Sequence, residues 1–159
     1  MSEEHHFLLQ RVQPAMVGLI DGSLSTLAPI FGIVFYTHRP HTAFIAGLAT
    51  SIGAAISMAF SEGLSDTGEL TGRGNPAVRG SITGVGTFIG GILHTLPFLI
   101  PHYRAAILVA VIVVGFELTA LAFLRWRYFE DSFVRALGIV TFAGIIIAAV
   151  SAGLGNQLG

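Results

Sequence analysis

At 159 residues the chain has room for one domain, but 53% of its residues are hydrophobic and only 11% charged. A soluble domain carries roughly 25% charged residues, so lipid rather than water is the expected solvent. A net charge of -1 with no long basic run excludes a nucleic-acid footprint, and the lack of cysteine excludes disulfides, thiolate metal centres and a cysteine nucleophile.

Residues 1–13 read as a short polar tail. Met1 to Gln10 holds two glutamates and no basic residue before the first apolar run, which is unlike a cleavable signal peptide. A spanning helix needs about 20 mainly apolar residues, and five such segments follow, predicting an all-α polytopic membrane protein with its transmembrane domain over 14–159. The first span, 14–36, contains Asp21 and Pro29. His38, Arg39, Pro40 and His41 form its exit turn. The second span, 42–64, carries Met58 and Glu62, and with Asp66 these recur every four residues, predicting a ladder of ligands on one helix face.

A polar stretch, 65–79, leads to the third span, 80–100. That span holds Gly84, Gly86, Gly90 and Gly91, which predict close helix packing, and then His94 and Pro97. Pro29 and Pro97 are each expected to mark a kink. After Pro101 to Arg104 comes the fourth span, 105–124, with Glu117 inside it; Arg125 to Asp131 then lead to the fifth, 133–154.

All the basic residues are arginine. With the N-terminus inside, Arg11, Arg73, Arg79, Arg125, Arg127 and Arg135 face the cytoplasm, and only Arg39 and Arg104 lie outside. The excess of basic residues in cytoplasmic loops therefore predicts a cytoplasmic N-terminus and an external C-terminus. Five spans do not divide into two equal repeats, which makes a homodimer with the pathway at its interface attractive.

Carboxylates inside a span cost roughly 2.5–3.5 kcal/mol each near the centre and mark cavities or partners. Asp21 and Glu117 are expected about 10 Å deep, seven to eight residues from the inner helix ends. Met58 lies at a similar depth, with Glu62 and Asp66 nearer the cytoplasm. Oxygen ligands suit hard cations and a thioether favours a softer one, so Asp21 with Met58 points to ferrous iron or manganese rather than calcium. Taken alone, Met58 is an adaptable core residue; the neighbouring acids give it weight. Glu117 is a candidate ligand or proton carrier, and His94 a candidate on the exit side, with a hydrogen-bonded structural role as the plainer reading. Ser23, Ser25, Ser57 and Ser61 have no histidine at their depth to activate them, which argues against an enzyme. A proton-coupled organic-cation exporter and a non-transporting adaptor for an iron-storage protein are the competing readings.

The run Gly18 to Ser25, then Gly47 and Ser57-Met58-Ala59-Phe60-Ser61-Glu62, resembles the first two spans of the vacuolar iron transporter family. Further stretches are similar to the membrane domain of bacterial membrane-bound ferritin-like (erythrin-vacuolar iron transport) exporters. These are Ala28-Pro29-Ile30-Phe31, Gly72-Arg73-Gly74-Asn75-Pro76, His94-Thr95-Leu96-Pro97, Phe116-Glu117-Leu118 and Arg127-Tyr128-Phe129-Glu130. The resemblance implies a dimeric exporter of ferrous iron or manganese from the cytosol, exchanging metal for protons, with no permanently bound cofactor. It places the metal site at Asp21 and Met58, with Glu62 one turn nearer the cytosol, and the protein in a bacterial cytoplasmic membrane. The chain has neither an acidic helical insertion between spans two and three nor a large N-terminal ferritin-like domain. Glu62, Asp66 and Glu69 then remain as the loading site, unless a separate ferritin-like protein donates the iron.

Overall fold

A computed structural model describes residues 3–129 and 132–158; Glu130 and Asp131, from the expected fourth connection and its family-like stretch, lie outside the described residues. Among the described residues the structure is helical, with no strand. Helix α1, Glu3–Phe7, runs through a wide turn at Leu8–Val12 into α2, Gln13–Ser25. Thus residues 3–12, expected as a tail, continue the first span as helix. Thr26 separates α2 from α3, Leu27–Thr37, which ends at His38 in the left-handed conformation, φ 53°. Arg39 is extended, as the residue before a proline prefers, and Pro40 opens α4, Pro40–Gly63, where its missing N–H costs nothing.

Residues 64–75 turn back on three glycines at positive φ, Gly68, Gly72 and Gly74. The Asn75 side chain then caps α5, Pro76–Leu93, by accepting from the Ala77 and Val78 amides. Helix α6, Tyr103–Phe129, and α7, Phe133–Leu158, complete the chain. Four stretches are long and apolar enough to cross a membrane: Glu3–Thr37, Pro40–Gly63, Tyr103–Phe129 and Phe133–Gln157.

The third expected span differs from the other four. Helix α5 has 18 residues, about 27 Å at 1.5 Å each, and ends at Leu93 rather than near 100. His94 follows as its cap, and Pro97 sits in a single tight turn, Leu96–Leu99. Pro97 therefore belongs to the termination of the helix, not to a kink within it. Pro29 lies in the first turn of α3, where proline is tolerated, and the break falls before it, at Thr26.

Helix α5 packs between α2 and α4 along most of its length. A Cβ on Gly18 or Gly22 would collide with the Thr83 or Thr87 carbonyl, and one on Gly80 or Gly84 would meet the α4 backbone at Ala59 and Ala55. Small residues on both sides thus let three backbones approach closely. An apolar core of Leu27, Ile30, Phe31, Val34, Ala43, Phe98, Ala106 and Ala110 joins α3, α4 and α6. Large apolar side chains also point outward, among them Ile45, Ile52, Ile56 and Phe60 on α4 and Leu108, Ile112 and Phe116 on α6. Such continuous apolar exposure suits hydrocarbon, where only water would penalise it.

Candidate functional site

Asp21 is half-buried on α2 and makes no hydrogen bond or ion pair among the described residues; Met58 is half-buried on α4. Helix α5 intervenes between α2 and α4, which touch each other little. Among the described residues no three of His, Asp and Glu converge as a metal cluster. The chain therefore carries this acid and this thioether on separate helices.

The expected ladder from Met58 through Glu62 to Asp66 does not continue along one helix. Helix α4 stops at Gly63, with the Leu64 amide donating to Phe60 O and the Ser65 hydroxyl to Glu62 O, so Asp66 lies in the following loop. Arginine brings the two acids together again. Arg73 donates from Nη2 to Glu62 Oε1 at 2.7 Å and from Nη1 to Asp66 Oδ2 at 3.0 Å. Arg79, with only 1% of its side chain exposed, donates from Nε to Glu62 Oε1 at 2.9 Å and reaches Asp66 Oδ1 at 3.4 Å. Its Nη1 also donates to Gly74 O and its Nη2 to Asp66 O. The loop is further tied to the wide turn Leu8–Val12 by Gln10 Nε2, which donates to Gly72 O.

At Asp66, burial tends to raise the pKa. Hydrogen bonds from Thr71, Gly68 N–H and Arg73, with the charge of Arg79, together outweigh it and hold the carboxyl below its ordinary value. Glu69 is exposed in the same loop. The grip of Arg73 and Arg79 on these acids was not expected from the sequence, where both arginines served as topology markers and Arg73 also fell in a family-like stretch. Their signal was the spacing of Arg73 and Arg79 beside a glycine-rich loop, but nothing in that spacing says which acids they meet.

His94 and Glu117, separated by 23 positions, meet in the interior. His94 Nδ1 lies 2.6 Å from Glu117 Oε2, and His94 Nε2 lies 2.6 Å from Thr26 Oγ1. Thr26 Oγ1 in turn donates to Gly22 O at 2.8 Å. His94 and Glu117 are 1% and 6% exposed. The histidine is hydrogen-bonded on both ring nitrogens, and the two residues engage each other rather than converging with a third ligand. Thr26, at the α2–α3 break, had no marker in the sequence.

Long apolar helices holding acidic side chains define an integral membrane protein. The model of the VIT family matches residues 12–71, from the end of the wide turn through α2, α3 and α4 to the loop bearing Asp66 and Glu69. The match is a likeness to that family over 60 of the chain's 159 residues. No curated protein matches the chain. No solved structure matches it either.

Proposed function

We propose that this protein exports ferrous iron, with manganese as the second ion its ligands suit, from the cytoplasm in exchange for protons. The observation that carries the reading is Asp21. It is an intramembrane carboxylate without a partner among the described residues, inside the segment matched by the VIT family. Such a group costs several kcal/mol unless it serves a ligand or a proton, and Met58 adds a preference for a softer divalent ion.

A single protomer supplies too few ligands at Asp21 and Met58 for a divalent ion, which normally takes four to six. A homodimer with the pathway at its interface completes the shell by symmetry. Glu62 serves at the cytoplasmic mouth, where an arriving cation competes with Arg73 for its carboxylate, and Asp66 and Glu69 extend the mouth. The arginine distribution supports a cytoplasmic N-terminus, and the family resemblance supports a bacterial cytoplasmic membrane. A separate ferritin-like donor is the source of iron in this reading.

The test is ferrous iron flux into proteoliposomes under an imposed pH gradient, for the parent, Asp21→Asn, Asp21→Ala and Met58→Ala. Gradient-dependent flux lost in the variants is expected. Full flux in Asp21→Asn sinks the site, and no flux from folded parent protein sinks the transport reading in favour of an adaptor.

A further inference from the structure

We propose that His94, Glu117 and Thr26 form a binding site for a single proton, whose departure turns the Thr26 hydroxyl away from Gly22. Three short contacts fix how many hydrogens the group must hold. Thr26 has one hydroxyl hydrogen, and its 2.8 Å contact with Gly22 O uses it, because a carbonyl only accepts. The 2.6 Å contact between Thr26 Oγ1 and His94 Nε2 must then take its hydrogen from Nε2. The 2.6 Å contact between Nδ1 and Glu117 Oε2 needs one more, held on either Nδ1 or Oε2. All three bonds coexist only when the pair carries one proton beyond neutral imidazole and ionised carboxylate.

Loss of that proton breaks the set in one of two ways. If the remaining ring hydrogen stays on Nε2, two lone pairs face each other at Nδ1 and Oε2, and the pair separates. If it resides on Nδ1, Nε2 becomes an acceptor and the Thr26 hydroxyl must swing from Gly22 O to Nε2. The second route is the cheaper one, because it keeps the buried Glu117 charge hydrogen-bonded. It also releases the Gly22 carbonyl, which adjoins Asp21 one turn before the break between α2 and α3.

The surroundings favour a proton over a fixed ion pair. Glu117 Oε1 is buried with no hydrogen-bond partner, which is costly for half of a carboxylate charge and mild for the carbonyl of a carboxylic acid. Among the described residues, the titratable and charged groups of the neighbouring helices make no hydrogen bond or ion pair with His94 or Glu117 beyond those already given. Helix α4 carries His41 near its start and Glu62 near its end, α5 has Arg79 in its first turn, and α7 has Arg135 in its first turn. Helix α6 otherwise has Tyr103 and Arg104 at one end and Arg125, Arg127 and Tyr128 at the other, and α3 carries only Tyr36 in its last turn. On α2, Asp21 is the one titratable side chain.

This inference deepens the proton exchange proposed above, and its experiment has one arm free of transport. Infrared difference spectra of the purified full-length chain, taken across about pH 5 to 8, are expected to show a protonated-carboxyl band. That band is lost in Glu117→Gln, shifted in His94→Gln and retained in Asp21→Asn. In proteoliposomes, Glu117→Gln and His94→Gln should keep ferrous iron flux driven by a metal gradient while losing its acceleration by a pH gradient. Thr26→Val should lose that acceleration and Thr26→Ser keep it. A titrating band unchanged in Glu117→Gln, or acceleration intact in both pair variants, overturns the proposal. Should Glu117→Gln not fold, an unshifted band in His94→Gln overturns it and a shifted one supports it. A parent without flux refutes metal transport and leaves the infrared arm to decide the proton site.

Discussion

Replacing Arg79 by alanine should destabilise the protein far more than replacing Arg73, although both arginines grip the same two acids. Arg79 is 1% exposed at its side chain and Arg73 21%. Removing one partner of a buried ion pair costs about 3–5 kcal/mol. Glu62 retains Arg73 at 2.7 Å in the Arg79 variant, which puts the loss at the lower end, about 3 kcal/mol. The Gly74 and Asp66 carbonyls lose their donors at the same time. Arg73 is partly solvated, and about 1 kcal/mol is expected for its removal. For a chain of this size each kcal/mol shifts the melting temperature by about 2–4 °C. Arg79→Ala should therefore melt about 6–12 °C lower and Arg73→Ala about 2–4 °C lower, measured by the helical circular dichroism signal in detergent. Equal shifts, or an Arg79→Ala variant that melts with the parent, would refute the burial argument.

Because the folded Asp66 carboxyl sits below its ordinary pKa, its stabilising contribution is present above the unfolded value of about 3.9 and is lost as pH falls through the lower folded value; melting curves between about pH 5 and 3 should show this loss, and Asp66→Asn should flatten it. Gly22→Ala should destabilise by about 1–3 kcal/mol because its Cβ would strike the Thr87 carbonyl, whereas Gly138→Ala, with nothing within 4 Å of the added carbon, should melt with the parent.

The elements that were legible in the sequence are those set by composition over many residues. Apolar runs announced α3, α4, α6 and α7 because lipid demands the same property at every position of a span. The end of α5 was not legible, since an apolar run continues through Leu96 to Ile100 while the backbone is stopped by the His94 cap and the tight turn holding Pro97. Asp66 fitted the helical period of Met58 and Glu62, yet the Leu64 cap removed it from the helix. Its return to Glu62 depends on Arg73 and Arg79 folding back over a loop of three positive-φ glycines. The meeting of His94 with Glu117 is likewise a product of helix packing, and no local pattern encodes a partner 23 residues away. Asp21 stood out in sequence because a lone acid in an apolar run is conspicuous, whereas Thr26 blends with its neighbours.

The glycine-lined α5 has a bearing on how the protein is made. Among the described helices of 18 residues or more, it alone is not apolar enough to span a membrane by itself, and its value lies in the surfaces of α2 and α4 that it fits. Individually inserted helices that later associate are the usual order of assembly in a bilayer. Here the order is constrained, because α5 emerges from the ribosome after α2 and α4 and finds its seat already synthesised, so that the protein acts as the insertion template for its own weakest segment.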